Sequence, residues 1–217
     1  MIKSLAVNII TNNGLDGFVL EAIRSVHNYI QEIVVVDDGS MDDTRFAIRN
    51  EFPEVKILRR ESQHFYERAM LLNDAKFDTR SEWILRIDDD EIFPEETMEE
   101  ILNLEGEVLT YSIPFLHYEN GHFIDPKAHK KDSFYVARLY KNIPDITWVR
   151  KAEVLAYGGK VISSRGNQPG LCRKIKNPFL HFGELRKGLR QSDYNFHEKG
   201  HCRLPVGNYI QYVPKKN

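Results

Sequence analysis

Two groups of acidic residues follow directly after strand-like apolar runs. Residues 83–87, WILRI, lead into four consecutive acids at 88–91, DDDE, and residues 33–36, IVVV, lead into Asp37 and Asp38. The carboxyl ends of parallel strands meet at one edge of a sheet, and open α/β sheets bind their ligands there. Both acidic groups are therefore predicted to face a single ligand-binding crevice.

Such a cluster of carboxylates needs a counter-charge, because neighbouring like charges raise each other's pKa and oppose folding. Mg²⁺ and Mn²⁺ prefer oxygen ligands and usually share their coordination with substrate phosphates. Alternate residues of an extended segment point the same way, so Asp88 and Asp90 can reach one ion. The pattern predicts a Mn²⁺ or Mg²⁺ cofactor and a phosphate-bearing substrate. Helix capping in a solvated turn is the alternative, although a cap needs only one acid.

The elements that position these acids alternate between strand and helix through the first hundred residues. Near-continuous apolar runs of strand length are typical of strands covered on both faces. Apolar residues at three- and four-residue spacings between them indicate amphipathic helices, one of which begins near Ser40 and is predicted to bury Phe46 and Ala47. The predicted strands are 5–10, 33–36, 55–58 and 83–87, with helices after each. This alternation predicts an α/β fold with a mostly parallel, doubly wound sheet.

Strand patterns dominate after residue 104. Further strands are predicted within 107–118, 134–140, 146–155 and 179–182, and Leu185, Leu189 and Phe196 indicate a closing amphipathic helix. Neither a repeat nor a Pro/Gly/Ser-rich linker divides the chain. We therefore expect one domain over 1–217, with a ligand-binding half at 1–104 and a second half at 105–217 that completes the site.

Composition narrows the class of protein. The formal net charge of −2 favours neither nucleic acid nor anionic membranes as a partner. The apolar runs are too short for a transmembrane segment, and the N-terminal residues do not form a signal peptide. Cys172 and Cys202 are too isolated for a disulfide framework, which predicts a reducing compartment, the cytoplasm.

Three motifs together resemble the family-two glycosyltransferases of the GT-A fold. They are an opening strand ending in IITNN, then VVVDDGSMDDT, then WILRIDDDEIF. The resemblance implies metal-dependent transfer of a sugar, a hexose in many members, from a nucleotide-sugar donor, commonly UDP-linked, to an acceptor hydroxyl with inversion. The acceptor would be a glycan, a lipid-linked precursor or a protein.

The resemblance also implies roles for individual residues of the first half. Thr11 would lie beside the nucleotide, Asp38 would hydrogen-bond the base, and Asp37 would support the loop that carries Asp38. Arg68 resembles the basic residue that faces the nucleotide or its phosphates, and a solvated helix arginine is the alternative.

In the acidic turn, Asp88 and Asp90 would be the two acids of the DxD motif. The first would meet the sugar or ribose as well as the metal, the last would bind the metal, and Asp89 between them is predicted among the nucleotide-sugar contacts. FLHFG resembles the strand end at which a histidine completes the metal shell, so His181 is a candidate third ligand. A buried histidine without a functional role is the alternative.

Two glutamates compete for the role of the general base that takes the proton from the acceptor. RLYKNIPDITWVRKAEVL resembles the segment written RLF…W.G.VHE in bacterial relatives, which brings Glu153 near the family's acidic residue. The match departs from the family where Lys151 and Ala152 stand, and the expected histidine is missing. Glu184 is the other candidate, although the start of a helix also suits a capping glutamate there.

Other functions fit the motifs less well. A phosphatase of the haloacid-dehalogenase type requires aspartates on the opening strand, and LAVNIITNN has none. A nucleotidyltransferase would carry a Gly-rich basic loop after that strand, and none is present. A non-catalytic relative that binds a nucleotide-sugar or glycan is a further alternative, because the match around Glu153 is imperfect.

Overall fold

Ten strands form one mixed sheet, and three more form a second, small sheet, within the part of the chain that the structure describes. The structure is a computed structural model that describes residues 2–15, 17–60, 68–105, 107–119, 122–124, 135–149, 154–163 and 170–183. Among these residues, no helix has the length and apolar content that crossing a bilayer would require.

The first half of the sheet is parallel and has the order β3-β2-β1-β4. Its strands are β1 (Leu5–Thr11), β2 (Glu32–Asp38), β3 (Lys56–Arg60) and β4 (Trp83–Asp88). Thr11 is in register with Asp37 on one side, and Ile10 is in register with Asp88 on the other. Both acidic groups therefore lie at the same edge of the sheet, as the sequence predicts.

In the described part of the chain, four helices cover the sheet: α1 (Val19–His27), α2 (Thr44–Glu51), α3 (Arg68–Phe77) and α4 (Glu95–Leu102). Successive residues of β2 point to opposite faces, so Val35 joins one core cluster and Val36 the other. Helix α1 adds Ile23 to the first cluster, and α3 adds Leu72 to the second. Full burial of one such side chain stabilises the fold by about 2 kcal/mol. Coverage on both faces explains the near-continuous apolar runs of these strands.

Helix α2 differs from the prediction in the face that it buries. Thr44 and Ile48 are buried, whereas Phe46 is 66% exposed. Ile48 packs in the core and the Thr44 hydroxyl accepts the Leu15 N–H, so these two positions, one turn apart, set the inward face. Phe46 lies between them in sequence and thus on the opposite side of the helix. The prediction that Phe46 packs inward is wrong.

The second half adds antiparallel strands to the sheet. Strand β8 runs antiparallel to β4, β6 runs antiparallel to β8, and β13 runs parallel to β6. The short β5, directly after the acidic turn, pairs antiparallel with β13. The strands are β5 (Glu91–Ile92), β6 (Thr110–Glu119), β7 (His122–Ile124), β8 (Tyr135–Lys141), β12 (Cys172–Lys174) and β13 (Phe179–His181). This pairing brings a late segment of the chain beside the acidic turn.

The segment predicted as one strand over 146–155 forms two. Strands β9 (Ile146–Val149) and β10 (Val154–Tyr157) pair antiparallel, and β11 (Lys160–Ser163) completes the small sheet. The predicted closing helix, with Leu185, Leu189 and Phe196, lies outside the described residues.

Candidate functional site

The end of β1 is bonded to the acidic turn. Thr11 Oγ1 donates to Asp89 Oδ2 at 2.7 Å, and the Phe18 N–H donates to the Asp89 carbonyl oxygen at 3.0 Å. Thr11 and Asp89 are both buried. Thr11 therefore lies in the predicted crevice, while the Asp89 side chain ties the acidic turn to β1.

Gly14 leaves the space that this bond needs. A Cβ on Gly14 would lie 2.1 Å from Thr11 Oγ1 and 3.0 Å from Val19 Cβ. Neither neighbour has room to retreat, because Thr11 and Val19 are buried. Any larger residue at position 14 would displace the Thr11 hydroxyl from Asp89.

We expect Gly14→Ala to lower the free energy of unfolding by about 1–3 kcal/mol, the usual cost of overpacking a buried site. Urea denaturation measures the change. The matched control is the same substitution in a Thr11→Ala background, where the closest clash is gone and Gly14→Ala should cost less. Equal costs in the two backgrounds would contradict the Thr11 clash.

Asp37 supports the turn after β2. Its Oδ1 accepts the Ser40 N–H at 3.1 Å, and its Oδ2 lies 3.2 Å from Arg45 Nε. Asp37 is fully buried. Gly39 in this turn has φ 73°, a left-handed conformation that glycine adopts without strain. These contacts fit the supporting role that the resemblance implies for Asp37.

Two asparagines attach this turn to the end of β1. Asn12 Nδ2 donates to the Asp38 carbonyl oxygen at 2.5 Å. The Asn13 N–H donates to Ser40 Oγ at 2.8 Å, and Asn13 Oδ1 accepts the Met41 N–H at 2.9 Å. Asn13 has φ 51°, which asparagine tolerates better than most residues. Sequence reasoning missed both residues, although adjacent asparagines after a buried strand are a signal for such a turn.

The main chain of Asp38 is held by Asn12, whereas one oxygen of its side chain lacks a hydrogen bond from any described residue. Its Oδ1 is shielded from solvent and accepts no hydrogen bond among the described residues. Leaving a buried acceptor unpaired costs about 1–3 kcal/mol, and more for a charged group. A ligand N–H that reaches this oxygen would remove that cost.

Asp88 is surrounded by three arginines. Its Oδ1 accepts from Arg68 Nη2 and lies 2.9 Å from Arg86 Nη2, and its Oδ2 lies 3.0 Å from Arg138 Nη2. The Arg86 guanidinium lies over the Trp148 ring, 5.1 Å from its centroid. Arg68 was predicted near the nucleotide, whereas sequence reasoning missed Arg86 and Arg138. The signal for Arg86 is its position two residues before Asp88, on the same face of β4.

These ion pairs keep Asp88 ionised. Burial alone would raise the pKa of Asp88, but Arg68, Arg86 and Arg138 together hold it well below its usual value. Burial lowers the pKa of Arg86 to about 10, which still leaves it charged at neutral pH. At Asp88, guanidinium groups thus supply the positive charge that the acidic pattern led us to expect from a divalent metal ion.

Glu91 closes the acidic turn. Its Oε2 accepts the Asp88 N–H at 2.9 Å, and its Oε1 forms an ion pair with Arg138. Glu91 is almost fully buried, and burial, reinforced by Asp88, raises its pKa. Arg138 is contributed by β8, so this ion pair joins the second half of the chain to the turn.

Asp90 faces His181 at the other side of the turn. Asp90 Oδ1 lies 3.8 Å from His181 Nε2, and the Phe182 N–H donates to the Asp90 carbonyl oxygen at 2.9 Å. A Cβ on Gly183 would lie 2.9 Å from His181 Nε2 and 3.5 Å from Asp90 Oδ2. Gly183 thus lies close to both groups, and a side chain at this position would crowd them.

Asp90 and His181, on one side of the acidic turn, fit a divalent cation better than Asp88 does on the other side. Within the described ranges, no group of three His, Cys, Asp or Glu side chains has the arrangement of a metal site. Asp90 and His181 offer an oxygen and a ring nitrogen close together, which fits two positions of an ion that takes its other ligands from substrate and water. The oxygens of Asp88 contact guanidinium groups instead.

Neither candidate for the general base belongs to the residues that the structure describes. Glu153 and Glu184 both lie outside the described residues. The structure therefore brings together Thr11, Asp37, Asp38, Arg68, Asp88, Asp89, Asp90 and His181 at one edge of the sheet, and leaves the two glutamates unplaced.

The solved structures that resemble this chain include three of TarS from S. aureus. TarS 1–349 has a TM-score of 0.60 with 15% identity, covering 95% of this chain and 69% of that one. Its complex with UDP-GlcNAc has a TM-score of 0.56 with 16% identity, covering 80% and 59%. The longer TarS structure has a TM-score of 0.61 with 15% identity, covering 96% and 42%.

At this identity the likeness shows the fold, which is the GT-A fold, and this chain spans less than half of the longer TarS structure. No curated protein matches the chain in sequence. The family model described as glycosyl transferase family 2 matches residues 7–156, well over half of the chain and all of the strands that carry the acidic groups. The chain therefore belongs to glycosyl transferase family 2.

Proposed function

We propose that this glycosyltransferase moves a sugar from a UDP-linked nucleotide-sugar to an acceptor hydroxyl, with a bound Mn²⁺ or Mg²⁺ ion and inversion at the anomeric carbon. The observation that carries the proposal is the meeting of Asp38 and the turn 88–91 at one edge of the sheet. The solved complex of TarS with UDP-GlcNAc, on the same fold, supports the choice of donor.

The nucleoside would bind between the ends of β1 and β2. Asp38 Oδ1 needs a hydrogen-bond donor, and a base such as uracil has a ring N–H to supply one. Asn12 and Asn13 hold the main chain of this turn before the ligand arrives. Binding then requires little ordering of the loop, which favours affinity.

The diphosphate would lie between the arginines and Asp90. Arg68 is the most exposed of the three arginines, with 31% of its side chain accessible, while Arg86 and Arg138 are below 10%. Arg68 is thus the one free to turn from Asp88 toward a phosphate. A guanidinium binds phosphate oxygens in the same two-pronged way as carboxylate oxygens.

Asp90 and His181 would hold the metal ion, and the ion would neutralise negative charge on the departing nucleoside diphosphate. Asp88 would anchor the arginines that face the same diphosphate. The resemblance makes Asp88 a metal ligand as well, and that role requires the arginines to release its carboxylate.

Sugar transfer also needs a carboxylate to take the proton from the acceptor hydroxyl. We expect Glu153→Gln to bind donor normally and to lower the transfer rate about 100-fold or more, because a general base contributes at least that factor. Release of UDP, followed with a coupled assay, measures the rate. Glu184→Gln tests the competing residue, and Glu107→Gln, at an exposed position, is the matched control. If Glu153→Gln keeps the full rate and Glu184→Gln loses it, Glu184 is the general base instead.

A thermal-shift series with nucleoside diphosphates and nucleotide-sugars, each with and without Mn²⁺, tests the function itself. UDP and a UDP-sugar should raise the melting temperature most, and Mn²⁺ should increase the effect. Asp38→Ala should weaken UDP binding about 10- to 100-fold, the value of a hydrogen bond to a charged group. Asp43→Ala, in the exposed part of the same loop, is the control.

The series also separates an enzyme from a relative that only binds. A binding protein would show the same metal-dependent shift with UDP-sugars but would release no UDP when acceptor is added. Absence of any nucleotide-dependent shift would contradict both functions.

A further inference from the structure

A second histidine contacts the candidate metal ligand His181 from behind. His117 Nδ1 lies 2.8 Å from His181 Nδ1, a hydrogen bond between two imidazole rings. The contact follows from the sheet, because His117 of β6 and His181 of β13 are partners in the parallel register. Nothing in the acidic motifs or in the family match assigns a role to His117.

The hydrogen bond constrains which nitrogen of His181 carries its hydrogen. A bond between two Nδ1 atoms needs one N–H and one lone pair. If His181 donates, its Nε2 carries a lone pair on the side of Asp90. If His117 donates, the His181 Nε2–H faces Asp90 Oδ1 across 3.8 Å, too far for a hydrogen bond. The first arrangement suits a cation between Asp90 and His181.

The surroundings fix the orientation of the His181 ring as well. Phe115 meets the ring edge-on, with 5.8 Å between the two centroids. Gly183 places no side chain on the side where Nε2 and Asp90 lie, while His117 contacts the Nδ1 side. A metal-binding histidine typically donates its second ring N–H to a carboxylate, a backbone carbonyl or water, which fixes the tautomer and strengthens the ligand. Here the acceptor in that position is His117 Nδ1.

We infer that His117 is a positioning residue that holds His181 with its Nε2 lone pair toward Asp90, ready to bind the divalent cation. The inference rests on the proposed function, because it requires the metal at Asp90 and His181. His117 itself touches neither the cation nor the substrate in this role.

Two substitutions at position 117 separate hydrogen bonding from packing. His117→Asn places an amide oxygen near the position of Nδ1 and keeps an acceptor for His181. His117→Phe keeps the ring but removes both nitrogens. We expect His117→Phe to weaken UDP-dependent Mn²⁺ binding about 10- to 100-fold, the usual effect of removing such a partner. His117→Asn should stay within about threefold of the wild type, because the acceptor is preserved.

The measurements are calorimetric titration of Mn²⁺ in the presence of UDP, and the visible absorption spectrum of Co²⁺ bound in place of Mn²⁺. The Co²⁺ bands of the wild type and His117→Asn should coincide, and those of His117→Phe should shift as the nitrogen ligand is lost. Circular dichroism and UDP binding without metal check that each variant is folded.

Wild-type affinity and spectrum in His117→Phe would overturn the inference, because ring packing alone would then be enough. Equal losses in both variants would also overturn it, because a preserved acceptor would then have no effect. His181→Phe tests the proposed metal site separately. If it binds Mn²⁺ as the wild type does, the metal site is misplaced and the role of His117 falls with it.

Discussion

Asp90→Asn is expected to abolish the gain in UDP affinity that Mn²⁺ provides, while the protein stays folded. The Asp90 carboxylate lies 3.8 Å from His181 Nε2, and Gly183 beside them has no side chain to crowd either group. Asparagine keeps the size of the side chain but removes the negative charge that a hard cation requires. Calorimetric titration with UDP, with and without Mn²⁺, should show the metal-dependent part of the affinity lost and the metal-free part retained.

Two further variants make this result specific. Asp43→Asn makes the same chemical change at an exposed position and should leave the Mn²⁺ effect intact. Asp88→Asn should also retain most of it, because guanidinium groups already engage the Asp88 carboxylate. Retained metal dependence in Asp90→Asn would refute the assignment of Asp90. If Asp88→Asn loses as much of the Mn²⁺-dependent UDP affinity as Asp90→Asn does, Asp88 is a metal ligand as well.

The second large effect is expected at the buried ion pair between Glu91 and Arg138. Arg138→Leu should lower the free energy of unfolding by about 3–5 kcal/mol, the usual cost of leaving one charge of a buried pair without its partner. Both Glu91 and Asp88 would lose a guanidinium, in a site where Glu91 is 1% exposed. Urea denaturation, followed by circular dichroism, measures the loss.

A double-variant cycle separates the ion pair from general packing. Glu91→Leu combined with Arg138→Leu should cost less than the two single changes together, because neither charge is then left alone. The exposed pair of Arg24 and Glu51 is the control, and breaking it should cost less than about 1 kcal/mol. Additive losses at Glu91 and Arg138 would contradict the coupling.

Much of the fold was predictable from local patterns. The four parallel strands and the helices between them appear where the apolar periodicities place them. The edge that carries the ligand groups was predictable too, because parallel strands must end at the same side of the sheet. The orientation of α2 was not predictable, since contacts with the rest of the fold decide which face of a short helix turns inward, as the exposed Phe46 shows.

The partners of the acids could not be predicted from their own motifs. Arg138 comes from β8 and pairs with Glu91 across a sequence separation of 47 residues, and His117 meets His181 across 64. Strand register decides both contacts, and register depends on how the second half folds back on the first. Sequence reasoning from charge alone therefore could not show that three arginines surround Asp88.

By itself the sequence determined that Asp38 and the acids at 88–91 meet at one edge of the sheet, because the carboxyl ends of neighbouring parallel strands lie side by side. The tertiary structure decided how those groups are neutralised and oriented. Strands from the second half bring Arg138 to Asp88 and Glu91, and bring His117 and His181 to the side of Asp90. Coulomb energies and hydrogen bonds depend on distances of a few ångströms, and only the folded register sets those distances.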